Sequence, residues 1–539
     1  MPTPPFSTQV SEQIWQTKYR YRDGDTIHDE TIEDTWRRVA SAIAGVEEHY
    51  QEHWAELFYH TLEGFRFLPG GRILAGAGTQ HDVTLFNCFV MGLIDDSMDG
   101  IFDALKEGAL TMQEGGGVGY DFSTLRPQGS RAKRVGGIAS GPVSFMRIWD
   151  STCGTLLSTG ARRGAMMATL RCDHPDIESF IEVKKDPNQL RHFNLSVLIT
   201  DDFMQALKQD ADWPLVFPVQ HLNEESSNDQ SVVQRVWPGS SEVQDCRILK
   251  VVKARALWHK IMQANYHYAE PGVLFIDRIN QQNNLGYHEQ ITATNPCGEI
   301  PLPPYGACNL GSINLTQFVQ QPFTPNAQLD LQAIHKTVEV VVRLLDNVID
   351  LSHFPLPAQR LQATGTRRIG LGMTGLADTL IMLGLRYGDP ESYQQAGRIM
   401  QAICHTAYRS SISLAQEKGA FKFFDKQAYL QQPFIQALPE EIQQGIADYG
   451  IRNSHLTAIA PTGTISLLAN NISSGLEPVY HFDYQRKILQ MDGSYKTYSL
   501  TDYAFRKWEE VQGAQPLPHY FVETNRLMPQ AHLEMQAAI

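Results

Sequence analysis

Apolar residues recur along this chain with two periods, and each period marks one kind of element. Near the start, Trp36, Val39, Ala40, Ile43 and Val46 fall three or four positions apart, the spacing of one buried helical stripe. Asp34-Thr35 just before them reads as the cap of that helix. Residues 1–66 thus read as a small helical domain and 67–539 as one large domain. In the large domain, short apolar runs alternate with helical stretches. Thr84–Met91 is strand-like, a helix is predicted over about 98–113 and another over 252–268, and Val273-Leu274-Phe275-Ile276 reads as a short buried strand. Cys308 lies in a further strand-like run that continues to Leu315. Leu456–Ala460 is apolar and precedes Pro461-Thr462-Gly463-Thr464-Ile465-Ser466, a hydroxyl-rich turn that opens an apolar helix start. From 221 to 247 the composition turns polar, which reads as a surface insertion with Cys246 incidental to it.

Charge narrows the function classes. The chain carries 45 basic and 59 acidic residues, a net charge of −14. A polynucleotide partner needs a basic face and is disfavoured, whereas a single nucleotide needs only a local anion pocket. No apolar run is long enough to span a bilayer, and Met1-Pro2-Thr3-Pro4-Pro5 has neither the basic start nor the apolar stretch of a secretory signal. Seven cysteines are odd in number and too sparse for a disulfide scaffold. Reduced cytoplasmic thiols with a redox or catalytic subset fit better.

Candidate chemistry concentrates at Asn295-Pro296-Cys297-Gly298-Glu299-Ile300. An amide, a thiol and a carboxylate stand two residues apart, and in an extended segment all three would face one substrate. Pro296 and Gly298 favour a loop tip over an interior strand. The amide can hold a hydroxyl, the carboxylate can take a proton, and the sulfur can do one-electron or nucleophilic chemistry. The 461–466 turn, between a strand and a helix start, suits a phosphate. Two other features are set aside. His49 and His53 stand four apart with no third ligand in view, so they read as a solvated helix face. Gly370-Leu371-Gly372-Met373-Thr374-Gly375 matches a dinucleotide fingerprint but follows no buried apolar strand, so its glycines read as room for a helix to pack closely.

The chain resembles the catalytic chain of ribonucleotide reductases, and most of all the adenosylcobalamin-dependent class II form. The likeness rests on ordered segments over nearly the whole length: Lys18-Tyr19-Arg20, Phe67–Arg72, Gly115–Gly119, Arg162–Ala165, Asp173–Asp176, Phe193–Ser196, the 295–300 stretch, Arg368–Asp378 and Ala460–Ser466. It implies a ten-stranded α/β barrel with a central finger loop behind the helical domain. It also implies that Cys297 becomes a thiyl radical, Glu299 accepts a proton and Asn295 holds the substrate hydroxyls. Cys88 and Cys308 would be a reducible pair, Pro461 to Ser466 the diphosphate site, and Ala139, Ser140 and Gly141 a substrate-lining loop. Asp96 and Ser97 would hold a deoxynucleotide effector at a homodimer interface, with a helix cap as the competing reading of that pair. Residues 184–192 resemble the loop that carries effector identity to the substrate.

The expected function is reduction of ribonucleotides, diphosphates by preference, to deoxyribonucleotides. The expected cofactor is adenosylcobalamin and the expected reductant is thioredoxin-like. Family members continue beyond residue 539 with a strand region and a cysteine-bearing tail. One expectation is therefore a second polypeptide that completes the barrel wall; the alternatives are an inactive nucleotide-binding chain and a class I chain that needs an iron subunit.

Overall fold

The computed structural model describes all residues except 1–4, 131–137, 159–161, 223–230, 241, 490–493 and 514. The polar stretch Asn223–Gln230 and the extreme N-terminus lie outside the described residues. The first domain is built on helices α1 (Gln9–Lys18), α2 (Ile32–Ala44) and α3 (Gln51–Leu62). Trp36, Val39, Ala40 and Ile43 of the stripe are buried as their spacing predicts, whereas the helix ends at Ala44 and Val46, beyond it, is only half-buried. The cap lies earlier than expected. Thr31 caps α2, taking the Asp34 N–H at 3.3 Å while the Asp34 carboxylate takes the Thr31 N–H at 2.8 Å. The first turn of α2 is mostly polar, so apolar periodicity alone could not find it. Thr35 is instead a buried residue whose hydroxyl joins Asp29 at 2.7 Å.

The large domain is organised on one sheet. Its strands are β1 (Phe67–Pro69), β2 (Cys88–Val90), β3 (Gly117–Asp121), β4 (Met166–Arg171), β5 (Phe193–Ile199), β6 (Gly272–Phe275), β7 (Ala307–Asn314) and β8 (Ile369–Thr374). The order is β6-β5-β4-β3-β2-β7-β8, with β1 also paired to β7. Strands β6 to β2 are mutually parallel, and β7 is parallel to β8. The two parallel sets meet antiparallel where β2 pairs β7. Helices α4 (Met98–Gln113), α5 (Pro142–Thr155), α6 (Leu331–Leu351) and α7 (Pro390–Lys418) flank the sheet. Every residue of β7 and β8 is buried, as strands covered on both faces must be. Ten strands were expected. Among the described residues eight are paired, and 455–458 adds a partial ninth beside β8, where the Leu371 N–H donates to Leu456 O at 2.8 Å.

Three local readings change. Of the fingerprint-like glycines, Gly370 and Gly372 sit inside strand β8 and admit a neighbouring strand segment, while Gly375 follows the strand at φ +73° and caps the helix Leu376–Met382. A Cβ on Gly372 would lie 2.2 Å from Ala458 O, so only glycine lets 456–460 come this close. Strand β6 is half-buried because it forms the sheet edge. The 221–247 stretch contributes Val232–Val236 and the start of Val243–Lys253 to a three-stranded antiparallel sheet with Asp212–Pro218. Cys246 is buried there beside Val216, Phe217 and Trp237.

A buried ionic cluster ties the two domains. The Arg343 guanidinium of α6 donates to Glu47 at 2.7 Å, and Lys418 of α7 donates to the same carboxylate at 3.0 Å. Burial by itself would raise the Glu47 carboxyl, but Arg343, Asn347 and Lys418 outweigh it and hold it down to about 2. Among the described residues, no helix is long and apolar enough to cross a membrane.

Candidate active site

The finger loop is a hairpin whose stem, Ala293-Thr294 against Pro301-Leu302, pairs antiparallel. Glycines let it lie close on the sheet. A Cβ on Gly119 would sit 1.8 Å from Thr294 O, and one on Gly117 would sit 2.9 Å from the Pro296 ring. The tip is a tight turn, with the Gly298 N–H donating to Asn295 O at 3.0 Å and Gly298 at φ +84°. Asn194 of β5 fixes it by donating to Pro296 O at 2.7 Å.

The segment is the loop tip that Pro296 and Gly298 predict, not an extended strand, and Asn295, Cys297 and Glu299 line one cavity. Asn295 is fully buried, and its amide N–H donates to Glu299 at 2.6 Å and to Cys88 Sγ at 3.1 Å. Its carbonyl oxygen takes the Ile300 N–H at 3.0 Å. The Cys88 thiol also points at Glu299, 3.9 Å away. Cys88 and Cys308 are directly opposed in the antiparallel register of β2 and β7. Opposed residues in such a ladder have α-carbons about 4.5–5.5 Å apart, inside the range a disulfide spans.

Cys297 is the exposed thiol of the three, and its exposure is towards the cavity. That cavity has a volume of about 590 Å³, a size suited to a nucleotide-scale ligand. Its wall includes Cys88, Asn295, Cys297, Glu299 and Pro461 to Ile465. Burial pushes the Glu299 carboxyl above its ordinary range, against the opposing hydrogen bond from Asn295. Burial first, and the nearby Glu299 charge second, push both Cys88 and Cys308 up, so both stay protonated at neutral pH.

The hydroxyl-rich turn opens a short helix, α8 (Gly463–Leu468). Thr462 takes a left-handed conformation, and its hydroxyl is held structurally, 2.9 Å from that of Thr374 and accepting from the Gly475 N–H at 3.1 Å. Ser466 turns inward to Gly463 O at 3.1 Å and lies outside the cavity lining. Gly463 faces open space, and the N–H groups of a helix's first turn have no intrahelical acceptor. Gly463 and Thr464 thus turn backbone N–H groups without intrahelical acceptors towards the cavity, beside Pro461, which has none to offer.

The remaining sequence candidates lie elsewhere. Ala139, Ser140 and Gly141 are not in the cavity lining; Gly141 caps α5 at φ +77°, where a Cβ would meet Asp176 at 2.5 Å. Asp96 is paired with Arg126 at 2.8 Å. Ser97 caps α4, accepting the Gly100 N–H at 3.0 Å. In the 184–192 stretch, Lys184 donates to Leu190 O at 2.7 Å and Phe193 O at 2.8 Å, which pins it outside the cavity. His49 and His53 are exposed, and no cluster of three metal-ligating side chains exists among the described residues. Sequence reasoning attached no role to Lys18, Arg20, Arg22 and Arg72, which all line the cavity. The signal was present, because Lys18-Tyr19-Arg20 and Phe67–Arg72 carry part of the family likeness.

Two family models match the chain: the ribonucleotide reductase all-alpha domain over residues 6–82 and the ribonucleotide reductase barrel domain over 86–539. A vitamin B12-dependent ribonucleoside-diphosphate reductase of Mycobacterium tuberculosis (strain CDC 1551 / Oshkosh) is 35% identical across 98% of this chain and 72% of its own length. A protein of the same description from Thermoplasma acidophilum is 33% identical across 98% of this chain and 64% of its own. A ribonucleoside-diphosphate reductase subunit alpha of Chlamydia pneumoniae is 28% identical across 88% of this chain and 48% of its own length. With both family domains spanning nearly all of its length around this thiol-bearing finger, the chain belongs to the ribonucleotide reductase large-chain family.

Proposed function

We propose that the chain reduces ribonucleoside diphosphates to 2′-deoxyribonucleotides by thiyl-radical chemistry that depends on adenosylcobalamin. The observation that carries this reading is one cavity holding Cys297, Glu299, Asn295 and one sulfur of an opposed thiol pair against an anion-accepting turn. The descriptions of the Mycobacterium and Thermoplasma relatives support the cofactor and the diphosphate.

The donor set fits that cofactor. Cys297, the thiol to be oxidised, is exposed and lines the cavity, while Cys88 is buried in the same wall and Cys308 lies buried outside the lining. Gly116, Gly117, Gly164 and Ala165 line the same cavity without bulky side chains and would hold the adenosyl end. When bound, adenosylcobalamin supplies the one-electron oxidant that no side chain provides alone. Cys297 then takes the 3′ hydrogen, Glu299 accepts the 3′-hydroxyl proton, and Asn295 orients the hydroxyls. Replacing the 2′-hydroxyl by hydrogen, with the oxygen leaving as water, consumes two electrons and two protons, and Cys297 returns the 3′ hydrogen at the end. Cys88 and Cys308 supply both and end as a disulfide, and as neutral thiols they bring the protons with the electrons.

Because the ionised form of Glu299 accepts the proton, activity falls as pH drops through its pKa. Burial raises that pKa, so the acidic limb of kcat/KM lies above the ordinary carboxylate value. Glu299→Gln is expected to remove that limb and to lower kcat by about 10²–10⁴-fold, measured as a pH profile. An unchanged profile in the variant would dismiss Glu299 as the base.

Finer assignments extend the same reading. Met98, Phe102 and Leu110 form an exposed apolar stripe along α4, which supports a homodimer with Asp96 and Ser97 holding a deoxynucleotide effector nearby. A thioredoxin-like protein resets the thiol pair, and reduced cysteines suit a cytoplasmic enzyme. The direct test is turnover of a ribonucleoside diphosphate with adenosylcobalamin and dithiothreitol. Deoxynucleotide formation with the cofactor and none without it is the expected result. Turnover only with an iron-containing radical subunit would overturn the cofactor assignment.

A further inference from the structure

The chain is acidic overall, but the cavity wall is not. Its charged side chains are Lys18, Arg20, Arg22 and Arg72 against the single carboxylate of Glu299. The anion-accepting turn, Pro461 to Ser466, has no lysine or arginine of its own. Its backbone N–H groups offer about half a unit of positive charge, far short of what a diphosphate carries. The balance must come from another part of the wall.

Arg72 has the best position for that task. It is 9% exposed, where a charge acts through a lower dielectric than at the surface. Its backbone N–H reaches the Asn87 side chain at 3.4 Å, next to Cys88. The guanidinium lies over Gly115, at φ +100°, where a Cβ would stand 2.3 Å from Cζ. Only a glycine leaves room for the planar group there. Of the other three cations, Lys18 and Arg20 are half-buried and Arg22 is exposed, so Arg72 is the one set deepest in the wall. A guanidinium also presents the forked donors that match phosphate oxygens.

We propose that Arg72 is a positioning residue that grips the substrate's outer phosphate, with Gly115 as the notch that seats it, so that the cavity ranks ligands by phosphate charge. This rests on the ribonucleotide reading above. The experiment is equilibrium binding of CDP, CMP and cytidine to the full chain and to Arg72→Gln, Arg72→Lys and Gly115→Ala, each checked for an unchanged melting temperature. Arg72→Gln is expected to weaken CDP by about 10–100-fold while cytidine changes by less than about twofold. Arg72→Lys should recover part of the CDP affinity, and Gly115→Ala should mimic Arg72→Gln without removing charge. The salt dependence of CDP binding should become shallower in Arg72→Gln. Equal weakening of CDP and cytidine, or unchanged CDP affinity, overturns the assignment. Wild-type chain that binds none of the three overturns the ribonucleotide reading itself, and this inference with it.

Discussion

Cys297→Ser is expected to abolish deoxynucleotide formation. A hydroxyl in place of the thiol keeps the size and the hydrogen bonding but gives no comparable sulfur radical to take a hydrogen atom. The loss should be on the order of 10⁴–10⁶-fold, the scale reached when a residue that participates covalently is removed. The position favours a clean experiment. Cys297 is exposed to the cavity at the tip of a turn held by Gly298 and Asn194, none of which depends on the sulfur. Stability should therefore shift by no more than about 0.5 kcal/mol, read as a melting curve. Substrate affinity should also survive, because the 461–465 wall and Asn295 are untouched. A Cys297→Ser chain that turns over at more than trace rates would remove the thiyl assignment.

The second large effect concerns the opposed thiols. Mixed with cofactor and substrate but no dithiothreitol, wild-type chain should make one equivalent of product and lose two of its seven titratable thiols. Cys88→Ser and Cys308→Ser should each lose none. Their steady-state turnover should fall on the order of 10³-fold, because one remaining sulfur cannot close a bond. Exchange of a labelled 3′ hydrogen with solvent should persist in both variants, since Cys297 and Glu299 remain. That split between exchange and net reduction separates a reductant role from general damage. Either variant sustaining normal turnover would show that the electrons come from another source.

Some of this architecture is legible in the chain and some is not, for physical reasons. Helix α4 can be read at both ends because Ser97 is a good cap and the following periodicity is unbroken. The cap of α2 was misplaced because the polar first turn of a helix carries no apolar signal. The cavity position of Asn295, Cys297 and Glu299 was anticipated through strand alternation, but the cause is a turn, which Pro296 and Gly298 signal in the sequence. The opposition of Cys88 and Cys308 is a property of strand order, which no spacing along the chain encodes. Only likeness to a family could suggest it. The cationic wall was missed for a related reason: Lys18 and Arg22 are about fifty residues from Arg72 in the chain, and only folding brings them to a common surface. Val232–Val236 was hidden because its apolar residues do not alternate: Val232 and Val236 lie exposed, and Val233 and Arg235 are the half-buried positions.

The seam between β2 and β7 has one further consequence. The separation of the two sulfurs there is fixed by a single rung of the ladder, not by the long stretch of chain that divides them in sequence. Connections hung between those strands can lengthen, shorten or be replaced without altering the electron-donating pair. Shifting either strand by one residue would carry its sulfur to the opposite face and silence the pair. Insertions engineered into the outlying turns, such as the one at Pro238-Gly239, should therefore leave thiol oxidation intact. A one-residue deletion between Phe86 and Cys88 should not be tolerated.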